Sequence, residues 1–399
     1  MALRNSGRAL IEALIAQQGI EVPDDNAQEG ESYAGKRKRI VDSLFGPIEI
    51  ERNCYHNTQM GGCRYPMDDA LFLINGVSPA VASRAAMRAA VEPFGEASAT
   101  CDTLCGLQIS PYRIRKIAQS VNSHAADFIR NGTLPEEVRP ACVAVEVDGK
   151  GAPIRRKELQ EAGVKGKNGD AKTREVKAAA IFTFNPNPGE EEAPQRDANS
   201  THYLLSSKTA DEFGKELWAY YQSRFPGEPP LTIFISDAAA GILNIRTNWL
   251  PFATGIIDFH HAVEHLQPLL EACGFVDKEK EEQHKKWRNM LLYGKVEQII
   301  KEAKDKAQNS KECKKALSYF IKGKEFMSYD LYRAKGWFIG SGVIEAACKN
   351  VVAERFCKSG MFWSRGGLDA MLPLRAVVKS QRYVKLWDYA LKEKRQIAC

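Results

Sequence analysis

The sequence predicts an α/β fold, and three observations carry that expectation. Short apolar runs at 142–148 (CVAVEVD), 174–184 (REVKAAAIFTF), 202–207 (HYLLSS), 231–237 (LTIFISD) and 254–259 (TGIIDF) read as strands. Stretches with helical spacing lie between and after them, which is the pattern of strands interleaved with helices. A chain of 399 residues with 44% hydrophobic content has the material for a sizeable core. Strand order is not legible at this level.

Taken in order, residues 1–35 read as a helical arm (1–20) followed by a polar linker (21–35, EVPDDNAQEGESYAG). Residues 36–70 hold a β-hairpin, because 38–54 (KRIVDSLFGPIEIERNC) alternates apolar and polar on either side of Phe45-Gly46-Pro47. Residues 71–134 are rich in Ala, Leu, Ile and Arg at helical spacing, punctuated by Pro93, Gly106 and Pro111, and read as a helical domain. The first part of the α/β core is expected over 135–275. Residues 276–330 are dense in Lys and Glu with spaced Leu, Ile and Phe and no strand signal, so they read as an exposed helical insertion. The core then resumes over 331–399 with C-terminal helices, the first being GVIEAACKNVVAERF from about residue 342.

Composition narrows the function. No stretch approaches the roughly 18 consecutive apolar residues of a membrane span, and the first residues lack the ordered regions of a signal peptide. A cytoplasmic protein without a membrane partner is expected. Ten cysteines at irregular spacing read as reduced thiols rather than a disulfide frame. The net charge is only +6, yet the base is clustered, at Lys36–Arg39, at Arg113, Arg115 and Lys116, at Arg155–Lys157, and at Lys379 and Arg382. Such clusters suit a polyanionic partner or a solvated surface.

The chemistry is expected at three acids. Asp148 and Asp237 each end a buried strand, where a charge must be solvated, capped or paired. Strand ends in open α/β sheets are where ligands gather, although Asp148 in a turn and Asp237 as a helix cap are simpler explanations of each residue alone. Glu345 follows Gly340-Ser341-Gly342 in the first turn of a helix, where it complements the helix dipole. Its neighbours Val343, Ile344, Ala346 and Ala347 mark that turn as facing inward. Three carboxylates without thiolates suit Mg²⁺ or Mn²⁺, and two such ions clamp the attacking and leaving oxygens of a phosphodiester displacement.

The stretches VEVDGKGAPI, REVKAAAIF, TIFISDAAAGI, GIIDFHHAVEHL and GSGVIEAACKNVVAERFCKSGMFWS resemble, in order, the blocks of bacterial insertion-sequence transposases of the ISKra type, over roughly residues 36–385. These belong to the DDE superfamily. The resemblance implies a ribonuclease H-like mixed sheet flanked by helices, carrying a helical insertion, with the N-terminal hairpin and a helix-turn-helix region ahead of it. It implies Asp148, Asp237 and Glu345 as the catalytic and metal-holding triad, and Asp258 with His261 as a supporting Asp-x-x-His pair. DNA at the element's terminal repeats and at the target would be the substrate, handled by a homodimer or larger assembly. A non-catalytic DNA-binding protein derived from such a transposase is the alternative.

The stretch TGIIDFHHAVEHL also contains His261-Ala-Val-Glu264-His265, the H-x-x-E-H pattern of inverted zinc peptidases. That reading needs His261 and His265 as ligands, Glu264 as base and a distant acid such as Glu345, and it leaves Asp148 and Asp237 unexplained. Zinc is therefore not expected. If a helix starts after TGIIDF, Asp258 is placed as its N-cap and the capped third-position N–H belongs to His261.

DNA contacts are expected in two places. Residues 94–121 have the form of a helix-turn-helix, with Gly106 at the turn and Ser110-Pro111 opening a second helix that carries Tyr112, Arg113, Arg115 and Lys116; a helical hairpin with a basic rim fits the same residues. Arg355, Lys358, Trp363 and Arg365 mix base and aromatic beside the Glu345 helix, a mixture suited to distorted DNA ends, with Trp363 alternatively in the core. One block departs from relatives. Where they show Cys-x-x-Cys, this chain has Asn57 and Met60, and Cys54, His56 and Cys63 make a poor zinc site.

Overall fold

The computed structural model describes residues 2–17, 27–59, 61–133, 135–136, 138–161, 165–166, 169–170, 172–187, 194–306 and 310–397. Met60 and residues 21–26 of the expected polar linker lie outside them. The chain divides into two compact units, residues 1–132 with 370–399, and residues 133–369.

The first unit opens with helix α1 (Ala2–Gln17), then the antiparallel strands β1 (Glu31–Ser43), β2 (Gly46–Asn57) and the short β3 (Cys63–Arg64). The hairpin turns at Leu44-Phe45, with Ser43 paired to Gly46, one residue ahead of the Phe45-Gly46-Pro47 signal, and β1 begins at Glu31, inside the segment read as linker. Ile11 and Ile15 of α1 pack on Val41, Ile48 and Ile50. The short α2 (Pro66–Ala70) leads to α3 (Pro79–Val91), α4 (Phe94–Cys105) and α5 (Pro111–Asn131). Gly106 ends α4 in the left-handed conformation that favours glycine, and Ser110 caps α5 through the Arg113 N–H ahead of Pro111. Ala82, Ala85, Ala86 and Ala89 let α3 lie close to Ile114, Ile117 and Val121 of α5.

The second unit is built on a mixed sheet. Its elements run β4 (Cys142–Pro153), α6 (Arg156–Glu161), the two-residue strands β5 (Lys165–Gly166) and β6 (Gly169–Asp170), β7 (Thr173–Asn185), β8 (Gln195–Arg196) and β9 (His202–Ser206). There follow α7 (Ala210–Arg224), β10 (Leu231–Ser236), α8 (Ala240–Trp249), β11 (Thr254–Ile257) and α9 (Phe259–Glu264). Across the sheet the order is β11-β10-β4-β7, with β9 and β8 both on the far edge of β7. β4, β10 and β11 are parallel, whereas β7 is antiparallel to β4 and β9 to β7. The five long strands thus stand in the order 5-4-1-2-3. Val143–Val147 and Val176–Phe182 are buried without interruption, as strands covered on both faces require.

Helices α10 (Leu266–Ala272), α11 (Asp277–Leu292), α12 (Val296–Lys306), α13 (Lys311–Gly323) and α14 (Tyr329–Ala334) come next. They correct the expectation of an exposed insertion. Their outer faces carry the Lys and Glu, but Trp287, Leu291, Ile299, Leu317, Phe320 and Tyr329 join Ile233, Ile235 and Ile257 of the sheet in one core. The periodic apolar positions are the side that the charge-rich composition concealed. The unit ends with α15 (Gly342–Ala347), a π-helical stretch at 348–353, α16 (Glu354–Phe356) and α17 (Arg365–Asp369).

A second correction concerns residues 370–399, expected to belong to the α/β core. Helices α18 (Leu372–Lys379) and α19 (Tyr383–Ile397) pack instead on α3 and α5 of the first unit. Asn122 of α5 accepts the Leu374 N–H at 3.0 Å, and buried Arg375 donates to the Ala90 carbonyl at 2.9 Å. A return over so many residues leaves no local signature.

Arg224 anchors the second unit. Buried, it donates to Glu136 Oε1 at 2.5 Å, the Ile181 carbonyl at 3.0 Å and the Ser200 carbonyl at 2.6 Å. Arg224→Met keeps the bulk and strands those acceptors, so it is expected to cost about 3 kcal/mol. A denaturant midpoint unchanged from the parent would contradict that role.

Candidate active site

The topology places Asp148 and Asp237 side by side. Ser236 of β10 is in register with Val147 of β4, so the next residues, both aspartates, lie side by side on neighbouring parallel strands. Such strands lie about 4.8 Å apart. Asp237 directly follows the end of β10, whereas Asp148 lies within β4, which runs on to Pro153 paired with β7, a correction to the expectation that Asp148 ends its strand. Asp148 Oδ1 accepts the Gly149 N–H at 2.6 Å, and Asp237 Oδ1 accepts the Ala239 N–H at 3.1 Å. Burial, joined by the negative charge of Asp148, holds the Asp237 carboxyl above the usual carboxylate range. Glu345 projects from the first turn of α15, and all three acids line one cleft of about 860 Å³.

Asp258 is the N-cap of α9 and accepts the His261 N–H at 2.6 Å. It is also buried, and its second oxygen accepts the Ser341 N–H at 2.5 Å, tying the end of β11 to the turn before α15. Asp258 thereby acts on the Glu345 segment as well as on His261. His261 lines the cleft, with its Nδ1 3.7 Å from Glu264 Oε2. His265 stacks on Tyr319 with ring centroids 3.8 Å apart, and burial lowers its pKa. In that stack it packs the junction of α9 and α10 against α13, while Glu264 is exposed.

Three residues that sequence patterns did not single out shape the site. Tyr319 of α13 brings a buried hydroxyl without a hydrogen-bond partner, its pKa raised by burial and by the charges of Asp237 and Asp258. The Cys348 thiol, at the start of the π-helical stretch, lies beside Asp148, and burial, joined by the negative charge of Asp148, pushes its pKa up. Such π-turns are frequent at functional sites. Arg333 of α14 lines the cleft as an exposed cation. A basic residue inside a Lys-rich segment carries no local signal of its place.

The donor set fits a hard cation: carboxylate oxygens of Asp148 and Asp237 on neighbouring strands, held close enough to repel. Among the described residues, no three His, Cys, Asp or Glu side chains are already drawn into one ligand sphere. Mg²⁺ does not demand one, since it commonly takes one or two carboxylates and completes its shell with water and substrate phosphate.

The expected DNA contacts divide. Arg355 is fully buried, its guanidinium over the rings of Phe356 and Trp363, and Trp363 is buried with its Nε1 donating to the Phe356 carbonyl at 3.0 Å. Neither presents a surface to DNA, which corrects both assignments; the Trp363 backbone instead pairs with Pro153 and Arg155 at the end of β4. Lys358 is half-buried, and Arg365 is exposed at the start of α17. In the first unit, Arg113 also departs from expectation. Its guanidinium pairs with Asp42 and donates to the Gly76 carbonyl at 3.2 Å, joining α5 to the hairpin. Tyr112 and Lys116 are exposed, with Lys116 Nζ 5.9 Å and the Arg115 guanidinium 5.1 Å from the Tyr112 ring centroid.

Together these features define an α/β protein with a carboxylate-lined cleft at the ends of its parallel strands. The chain belongs to the uncharacterised protein family UPF0236, whose pattern it matches over residues 2–389. A UPF0236 protein of Caldanaerobacter subterraneus subsp. tengcongensis, whose name joins eleven locus designations, is 22% identical over 389 residues, covering 94% of this chain and 75% of that one. Among solved structures, the Drosophila P element transposase strand transfer complex overlaps 78% of this chain and 80% of its own, at 11% identity and a TM-score of 0.25. An overlap that loose carries nothing further about this chain. No helix among the described residues is long and apolar enough to cross a membrane.

Proposed function

We propose that this chain is a metal-dependent DNA transposase of the DDE type, cutting and joining DNA at the ends of an insertion sequence. The observation that carries the proposal is the meeting of Asp148, within β4, and Asp237, just past the end of the neighbouring β10, in one cleft with Glu345. The strand order 5-4-1-2-3, with strand 2 antiparallel, supports a ribonuclease H-like core. The eleven loci joined under one relative's name are what a mobile element leaves in a genome.

In this reading Asp148 and Asp237 hold the cations and Glu345 completes the second site. When bound, two Mg²⁺ or Mn²⁺ ions polarise the scissile phosphate and stabilise the attacking and leaving oxygens. Water, then a DNA 3′-hydroxyl, serve as successive nucleophiles. Asp258 fixes the backbone on both sides of the cleft, His261 faces the reacting phosphate, and Arg333 on the opposing wall pairs with a flanking phosphate. The exposed face of α5 around Tyr112, Arg115 and Lys116 contacts the element's ends as the second helix of a helix-turn-helix, and Lys358 with Arg365 contacts DNA nearer the chemistry. Subunits work in pairs on paired ends.

The direct test is incubation of the protein with DNA flanking its own coding region, with and without Mg²⁺. Strand cleavage at inverted repeats that requires the metal supports the proposal; binding without cleavage would leave a DNA-binding protein in its place. Lys116→Ala should leave folding unchanged and lower the slope of log K against log salt by about 1, from one lost phosphate contact. An unaltered slope removes α5 from the DNA interface. Arg113→Ala, by contrast, is expected to cost stability through its lost ties to Asp42 and Gly76.

A further inference from the structure

Glu146 is fully buried on β4, two residues before Asp148 and on the same face of the strand. Its Oε2 accepts the Ile344 N–H at 2.8 Å, and the Val343 amide lies nearby without bonding the buried Oε1, which has no hydrogen-bond partner. These amides open α15, where the first N–H groups of a helix have no partner within it. The N-cap residue Ser341 offers no side-chain cap to them. Its own N–H goes to Asp258. Two buried acids, one on the first parallel strand and one past the end of β11, therefore grip the Ile344 and Ser341 amides of the turn that bears Glu345.

An acid buried in a strand is a costly way to cap a helix, and Ser or Asp at position 341 is the ordinary one. What a local cap cannot do is fix the helix to the sheet. Glu146 spans 198 residues of sequence to reach Ile344. We propose that Glu146 is a positioning residue for Glu345, docking the first turn of α15 onto β4 so that the Glu345 carboxylate stands across the cleft from Asp148 and Asp237. This rests on the reading of those three acids as one metal-dependent site. Burial pushes the Glu146 carboxyl up to about 8, yet the carboxyl oxygen accepts an amide N–H in either protonation state, so the grip does not depend on its titration.

The test compares Glu146→Leu, which keeps bulk and removes the acceptor, with Glu146→Gln, which keeps an acceptor oxygen, alone and with Glu345→Ala. Cleavage of element-end DNA, DNA affinity, thermal unfolding and amide hydrogen exchange over 341–345 are read together. Glu146→Leu should lower kcat by about 10²-fold at unchanged DNA affinity, the scale seen when a supporting partner of a metal ligand is lost. Exchange should quicken at Val343 and Ile344, and Glu146→Gln should restore most of both. Because Glu146 acts through Glu345, Glu146→Leu should cost little further in the Glu345→Ala background. Wild-type cleavage by Glu146→Leu, or losses that multiply in the double variant, would overturn the proposal. If the Leu variant does not fold, Glu146→Asp withdraws the acceptor by one methylene and should lose about 10-fold where Gln does not. Should the wild type cut no DNA, the transposase reading falls while exchange still decides the grip: faster exchange confined to 343 and 344 supports it, and unchanged exchange defeats it.

Discussion

Asp237→Asn is expected to lower Mg²⁺-dependent strand cleavage on the order of 10³-fold while leaving DNA affinity unchanged. The magnitude follows from the step removed. A cation held against the scissile phosphate supplies several kcal/mol of transition-state stabilisation, and roughly 4 kcal/mol corresponds to that factor. Asparagine preserves the shape and the turn that Asp237 makes with the Ala239 N–H, since its amide oxygen accepts equally well. What it deletes is one of two negative charges facing each other across adjacent strands. The metal-free variant should therefore unfold at the same temperature as the parent or higher, because the repulsion is relieved. Added Mg²⁺ should stabilise the parent by about 2.7 kcal/mol at a hundredfold excess over Kd and the variant by much less. Cleavage at the parental rate would remove Asp237 from the site, and equal stabilisation of both proteins by Mg²⁺ would do so independently.

Sequence made this pair visible because each aspartate follows an apolar run, although only Asp237 stands at a strand end; β4 continues past Asp148 to Pro153, through Gly149-Lys150-Gly151, residues that read as a turn. Glu345 was visible through Gly340-Ser341-Gly342, and the Asp258 cap through its three-residue offset from His261. What stayed hidden is tertiary. Glu146 is also an acid in an apolar strand, but nothing in CVAVEVD says that its partner lies 198 residues away. Arg355 and Trp363 read as a basic and aromatic surface because composition does not distinguish a side chain over a buried ring from one over a base. Tyr319 and Arg333 sit in a segment whose charges advertise solvent, and their approach to the cleft depends on how α13 and α14 fold back on the sheet. The π-helical stretch that brings Cys348 to Asp148 has no periodicity that a helix reading would separate from the turns around it.

Asp258→Ala is expected to destabilise the second unit by about 2–4 kcal/mol and to lose more cleavage than that instability explains. The cap of α9 accounts for about 1 kcal/mol. The remainder comes from the Ser341 N–H, which Asp258 satisfies where no water reaches, since stranding a buried donor costs about 1–3 kcal/mol. Well below its unfolding temperature the variant remains folded, yet Glu345 and His261 each lose the same anchor, so the cleavage defect should persist under those conditions. His261→Ala removes a side chain that lines the cleft and should impair cleavage with little effect on folding. His265→Ala loses its stack on Tyr319, a packing contact between the α9–α10 junction and α13, and should cost stability more than activity. A zinc peptidase built on His261, Glu264 and His265 reverses this order, because His265 would then be a ligand and Asp258 incidental. Metal content, unfolding and strand cleavage measured side by side for the three alanine variants separate the two. Stoichiometric zinc in the parent that vanishes with His265→Ala, beside an Asp258→Ala variant of normal stability and behaviour, would overturn the transposase assignment.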